Sequence, residues 1–297
     1  MTKAVRPLLT QAASRLRDVG VESPQQEARQ LLAYAAGVEL VRLPLLDTVE
    51  DAQAAYFESL INKRAHRVPL QHLTGRAHFR YLELEVGPGV FVPRPETEVM
   101  TGWAIEQLRP MVYAVARGES RHLPVVVELG TGSGAVAKSI ATELTGTRVY
   151  AVEVSEEAAA YAVRNLADTT VELQVRDMVG AFPELDGTVD LVISNPPYIP
   201  LEAFESVVPE VRDHDPLLAL FAGQDGLDAI RVVVAQAARL LRPAGLICVE
   251  HADVQGESAQ QILLQQGGFG GVRDHSDLSG RPRFVTGVRR GRSDRAM

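Results

Sequence analysis

The sequence predicts an α/β protein, a doubly wound Rossmann-like sheet preceded by a small helical domain and a β-hairpin linker. Three observations predict it. From Val125 onward, short apolar runs alternate with helical stretches. A glycine-rich turn, Glu128-Leu129-Gly130-Thr131-Gly132-Ser133-Gly134, joins the first apolar run to the first of those helices. Before position 68 the pattern is helical throughout.

Leu8, Leu9, Ala12, Ala13 and Leu16 share one face of a first helix. Ser23-Pro24-Gln25-Gln26 is expected to start a second, with Ser23 as cap, Pro24 in the first turn and Gln26 closing a capping box. Gly37 stops it, and a third helix runs from Glu50 to His66. Leu82, Leu84 and Val86 alternate with Glu83 and Glu85. Gly87-Pro88-Gly89 is then expected to turn the chain into Val90-Phe91-Val92 as a hairpin. A helix begins near Glu96. Strands are expected at Val125 to Val127, Arg148 to Val154, Val171 to Val175, Val189 to Ser194 and Gly245 to Glu250. Ala135 to Leu144 and Asp228 to Leu241 are helical, and Ser155 caps another helix with Glu156 and Glu157 in its first turn. Val272 to Asp274 and Arg283 to Val288 form a closing antiparallel pair. A loose basic tail follows, including Arg289, Arg290 and Arg292. The expected domains are residues 1–74 (helical), 75–95 (hairpin linker) and 96–297 (the sheet).

The 297 residues suit one large domain and one small one. No apolar run reaches the roughly 18 residues of a membrane span, and Arg6, Gln11, Arg15 and Arg17 break up any signal peptide. One cysteine, Cys248, fits a reducing, cytoplasmic setting. The seven histidines form no zinc-type cluster, so no metal site is expected. A net charge of −8 argues against a general nucleic-acid binder. The first 70 residues carry nine Lys/Arg against eight Asp/Glu and the remainder 21 against 30, so the larger part suits a basic partner.

The glycine loop lets a ligand approach bare backbone at a helix N-terminus. Glu153, at the end of the next strand, can accept hydrogen bonds from both ribose hydroxyls. Gly130-x-Gly132-x-x-Ala135 also satisfies the dinucleotide fingerprint, so this loop by itself leaves NAD and S-adenosylmethionine both open.

Ser194-Asn195-Pro196-Pro197-Tyr198 decides between them. It follows the strand that should neighbour the glycine-loop strand. A planar NH₂ offers two in-plane donors, which the Asn195 side-chain oxygen and the Pro196 carbonyl can accept. Pro196 and Pro197 stiffen the loop, and Tyr198 offers a flat face for stacking. A NAD enzyme has no use for this acceptor pair. The expected chemistry is methyl transfer to an amide or amino nitrogen, with Asn195, Pro196 and Tyr198 as the catalytic residues. The motif displays no strong general base.

Further segments lie along the chain in a fixed order. They are Pro69-Leu70-Gln71-His72-Leu73-Thr74-Gly75, Phe91-Val92-Pro93-Arg94-Pro95-Glu96-Thr97-Glu98, Asp215-Pro216, Ala219 through Leu227, Glu250-His251 and Asp277 through Arg283. With the glycine loop and Asn-Pro-Pro-Tyr, they make nearly the whole chain resemble the HemK/PrmC family of release factor glutamine methyltransferases. Asn-Pro-Pro-Tyr is shared with DNA and RNA methyltransferases, whereas Pro-Arg-Pro-Glu-Thr-Glu is far more specific. The resemblance implies a seven-stranded class I methyltransferase sheet, with the N-terminal domain recognising substrate. It implies S-adenosylmethionine as methyl donor, leaving S-adenosylhomocysteine. The implied substrate is the Gly-Gly-Gln glutamine of class I peptide chain release factors, modified on its amide nitrogen during the life of the translation termination machinery. Cofactor contacts are implied for Gly130, Thr131, Gly132, Ser133, Gly134, Glu153, Asp177 and Asn195, and substrate contacts for Asn195, Pro196, Pro197 and Tyr198. Two positions depart from the family. Glu153 stands where many relatives have Asp, and Met178 where some have an aromatic beside the adenine.

Arg94 and Glu96 are expected to pin the linker, with contact to the cofactor pocket as the alternative. Glu202, Glu205, Glu210, Asp213 and Asp215 form an acidic run that is expected to steer a basic partner onto the site. His251 and Cys248 read as packing groups. A ribosomal-protein glutamine, an exocyclic base amine and a non-catalytic role are the rival readings. The acidic chain disfavours the nucleic acid, and the intact Gly130 to Gly134 and Asn195 disfavour loss of catalysis.

Overall fold

The structure, a computed structural model, describes residues 1–291, the Ser206 side chain excepted. The chain divides into two compact units. Met1–Arg76 and Val208–His214 form one, and Ala77–Val207 with the chain from Asp215 onward forms the other.

In the first unit, helices Val5–Asp18, Pro24–Ala36 and Asp51–Ala65 enclose Leu16, Leu31, Leu32, Phe57, Leu60 and Ile61, all buried. Gly37 ends the second helix in the left-handed region, at φ 68°. The capping box is not where the sequence suggested. Ser23 makes no side-chain cap bond, whereas Glu50 and Gln53 cap the third helix reciprocally. The unit is also not wholly helical, because β1 (Thr2–Ala4) pairs antiparallel with β2 (Thr48–Glu50).

Arg64 is buried here between two carboxylates. It donates from Nε to Glu27 and from Nη1 to Glu210 Oε1 at 3.0 Å, and Arg67 Nη2 reaches Glu210 Oε2 at 2.6 Å. A buried guanidinium is tolerated only while such partners meet it, and removing one partner of a buried pair costs about 3–5 kcal/mol. Glu210 is therefore a structural counter-ion. In the second unit Asp215 is likewise taken, by Arg94, and Asp213 in the first is paired with Arg212. The acidic run is largely neutralised within the protein, which removes the basis for reading it as a free steering face.

A two-stranded sheet follows at the junction of the units, β3 (Arg76–Phe79) and β4 (Leu82–Glu85), all of it but Arg76 in the second unit. The hairpin thus turns at Arg80-Tyr81 and not at Gly87 to Gly89, and residues 90–92 form no strand. Arg80 adopts φ 52°, unusual for a non-glycine, and is held by two bonds to Glu143 at 2.7 and 2.8 Å. Helix Pro95–Ala116 follows.

The main sheet uses β5 (Val125–Leu129), β6 (Arg148–Glu153), β7 (Glu172–Val175), β8 (Val189–Ser194), β9 (Leu241–Glu250), β10 (Phe269–Ser276) and β11 (Pro282–Arg289). Their order is β10-β11-β9-β8-β5-β6-β7, with β7, β6, β5, β8 and β9 parallel and β11 running antiparallel between β9 and β10. Apolar side chains leave both faces of the central strands. Val126, Leu191 and Ile193 pack with Met100, Ile105 and Ile140, while Val127, Leu129 and Val192 pack with Ile230, Val233 and Val234. Cys248 lies fully buried in the first of these layers. After β7 the chain returns to the other side of β5, so the carboxyl ends of β5 and β8 flank a switch point, where open sheets of this kind take their ligands.

Arg289 does not belong to a loose tail. Arg289 closes β11 and donates to Gly268 O at 3.0 Å, while Arg292 lies outside the described residues. Among the described residues, no helix is long and apolar enough to cross a membrane, and no group of His, Cys, Asp or Glu is placed to hold a metal.

Candidate functional site

β5 delivers the glycine loop to the sheet's carboxyl edge, and backbone bonds fix it there. Gly130 N and Thr131 N donate to Val152 O at 2.9 and 3.0 Å, tying the loop to β6. Gly132 has φ 57°, and a Cβ built on it would meet nothing within 4 Å. A side chain there would be strained and would project into the open ground before the loop. The loop leads directly into helix Ala135–Glu143, whose first-turn N–H groups form a positive end.

Glu153 is engaged from three sides. Its Oε2 accepts from Gly132 N at 2.8 Å, and its Oε1 accepts from Val154 N and Ser155 N at 2.9 Å each. A carboxylate has about four acceptor positions. One remains for a ligand hydroxyl. Asp177, following β7, is exposed and accepts from Val179 N at 2.7 Å.

Glu128, the first residue of the glycine motif, anchors the loop from below. Its Oε2 accepts from Thr131 Oγ1 at 2.6 Å and from Ala137 N at 2.9 Å. Burial pushes its carboxyl up to about 8 against those bonds, so it is mostly protonated at neutral pH. A carboxyl whose proton is held more tightly in the fold stabilises the fold at low pH. That contribution is lost as pH rises from the ordinary 4.5 through about 8. Urea unfolding is expected to show Glu128→Gln gaining a few kcal/mol on the wild type between about pH 5 and 8. A constant difference between the two proteins would refute the assignment.

β8 delivers the second half of the site. Ser194 Oγ donates to Leu129 O at 2.6 Å, so Asn195 begins where β8 is bonded to the root of the glycine loop. The Asn195 Nδ2 donates to Thr97 Oγ1 at 3.0 Å, and Thr97 Oγ1 donates to Glu250 Oε2 at 2.7 Å. Tyr198 OH donates to the other oxygen of Glu250 at 3.3 Å. With Nδ2 committed to Thr97, the Asn195 Oδ1 is the edge left to accept. Burial raises Glu250 to about 7, offset in part by Thr97, Arg283 and Tyr198. Burial and the Glu250 charge raise the Tyr198 phenol.

The Pro-Pro turn is held beyond Tyr198 as well. Tyr198 O accepts from Gln255 Nε2 at 2.9 Å, and Ile199 bridges Phe221 in parallel. Arg94 stacks on Phe91 and binds Asp215 Oδ2 at 2.9 Å. His251 is buried, with its ring between Ala252 O and Asp274. The structure therefore brings together Gly130 to Gly134, Glu153 and Asn195 to Tyr198 along adjacent strand ends. It adds Thr97, Glu128, Glu250 and Gln255. The signal for Glu250 was available, because it is an acid ending a buried strand, as Glu153 is.

Comparison with known proteins gives two family matches, the PrmC N-terminal domain over residues 7–75 and a Methyltransferase domain over residues 126–214. A release factor glutamine methyltransferase of Streptomyces coelicolor is 52% identical over 280 residues, covering 94% of this chain and 95% of that protein. One from Mycolicibacterium smegmatis is 45% identical over 291 residues, covering 97% and 99%. Among solved structures, the hMettl16 catalytic domain matches with a TM-score of 0.50 at 16% identity, over 70% of this chain and 75% of that one. That likeness concerns the fold alone.

Proposed function

This chain belongs to the release factor glutamine methyltransferase family, and from that premise we propose that it methylates the amide nitrogen (N5) of the glutamine in the Gly-Gly-Gln motif of class I peptide chain release factors. The observation that carries the reading is the Asn195 amide, whose nitrogen is committed to Thr97, which leaves its oxygen as the edge to accept.

S-adenosylmethionine, when bound, supplies an electrophilic methyl on a sulfonium. The residues present fit such a donor: open ground before Gly130 and Gly132, a helix N-terminus for a carboxylate, and one spare acceptor on Glu153 for a ribose hydroxyl. We assign Gly130, Thr131, Gly132, Ser133, Gly134, Glu153, Asp177 and Asn195 to holding it.

The protein's own work is on the acceptor nitrogen. An amide lone pair is delocalised and weakly nucleophilic. Asn195 Oδ1 and the Pro196 carbonyl each accept one N–H, which draws density onto nitrogen and fixes its plane. Tyr198 gives the amide a flat wall, and the two prolines hold the acceptors in place before substrate arrives. As the N–C bond forms, the bond from the methyl to the donor's sulfur would break to leave a neutral thioether, and the nitrogen would give up one proton to solvent. The reducing cytoplasm, where release factors work, suits a chain whose one cysteine is buried and unpaired.

The test is a methyl-transfer assay offering a class I release factor, ribosomal protein and DNA side by side, with label located by peptide mass mapping. Label on the release factor glutamine is expected. Label on nucleic acid, or on ribosomal protein in its place, would overturn the reading.

A further inference from the structure

We propose that Glu250 is the positioning residue of this site: acting through the Thr97 hydroxyl, its carboxylate dictates which edge of the Asn195 amide faces the substrate. The inference rests on the glutamine-methylation reading and deepens it.

The argument is one of donors and acceptors. An ionised carboxylate only accepts, so the Thr97 hydroxyl, 2.7 Å from Glu250 Oε2, must spend its one hydrogen there. The hydroxyl then has only lone pairs to offer Asn195, and the amide must present Nδ2, as it does at 3.0 Å. Oδ1 is thereby left outward, the edge a substrate NH₂ requires. Both Thr97 and Glu250 are almost wholly buried, so water does not compete for these bonds.

Protonating Glu250 reverses the logic. A carboxylic acid can donate to Thr97, which frees the hydroxyl hydrogen for Asn195 Oδ1. The amide can then turn its NH₂ outward, and two donors would face each other. The groups facing Glu250 are Thr97 and Glu96 on helix Pro95–Ala116, Tyr198 beyond β8, and Arg283 on β11, itself paired with Asp277. Arg283 favours the charged form, whereas burial and Glu96 oppose it, and the balance lies at about 7. The outward acceptor is accordingly present above neutrality and lost below it.

The test follows kcat for a full-length release factor between about pH 5.5 and 9. The wild type is expected to lose rate as pH falls through about 7. Glu250→Gln is expected to lower the plateau by about tenfold or more and to abolish that limb, because Gln can present either edge to Thr97. Thr97→Val should remove the limb as well, and Thr97→Ser should restore it. Affinity for the release factor, measured calorimetrically with S-adenosylhomocysteine present, should weaken below neutrality in the wild type and stay flat in Glu250→Gln. If Glu250→Gln does not fold, the Thr97 pair carries the same test.

A folded Glu250→Gln with the wild-type limb, whatever its rate, would overturn the proposal. That result, with the release factor still labelled by the wild type, leaves the substrate reading standing. A wild type that labels no glutamine removes both.

Discussion

Asn195→Ala is expected to reduce kcat/KM for a release factor by about 10²–10³, nearly all of it in kcat. The side chain supplies one of two acceptors that orient a weak nucleophile, and alanine leaves one substrate N–H without its partner. The loss falls on kcat because orientation matters most as the new bond forms. The fold should tolerate the change, since Asn195 is half-buried and its bond to Thr97 leaves a hydroxyl that still donates to Glu250. Steady-state kinetics beside a thermal melt check this. An alanine variant within about threefold of the wild-type kcat would deny the amide its role.

The sheet was legible because its strands are short apolar runs set between turn signals, and doubly buried strands need no alternation to be found. Val125 to Leu129 and Val189 to Ser194 are buried at every position. The hairpin was misread for a specific reason. Gly87-Pro88-Gly89 has turn chemistry, but the chain reverses at Arg80, whose left-handed backbone is secured by Glu143, 63 residues away. No local rule points to an arginine at that position. The ladder of Thr2–Ala4 with Thr48–Glu50 is too short for any period to show.

The site divides in the same way. The glycine loop, Glu153 and Asn195 to Tyr198 are contiguous motifs whose chemistry can be read from neighbouring residues. The pair that orients Asn195 is not contiguous, since Thr97 and Glu250 lie 153 residues apart. The acidic run failed from the same cause. Formal charge is visible in a sequence, but the cations that consume Glu210 lie 146 and 143 residues away.

Gly226→Ala is expected to lower kcat by about 100-fold although position 226 carries no functional group. Gly226 sits at φ 73°, and a Cβ there would lie 2.4 Å from the Tyr198 carbonyl oxygen, 2.8 Å from Gln255 Nε2 and 2.9 Å from Pro200 Cδ. Backbone cannot swing aside as a lysine tip would. The new methyl must push the Tyr198 peptide away or break its bond from Gln255, and either shift moves the adjoining Pro-Pro turn. A displacement near 1 Å in a group that aligns the nucleophile suffices for a loss of this size. Gly37→Ala separates collision from strain. Gly37 shares the left-handed backbone, at φ 68°, but its Cβ would meet nothing within 4 Å. That variant should lose about 1–2 kcal/mol of stability and keep its kcat. A Gly226→Ala enzyme that melts early yet turns over like Gly37→Ala would mean that the Pro-Pro turn tolerates displacement, and that rigidity at Asn195 to Tyr198 is not what makes the amide react.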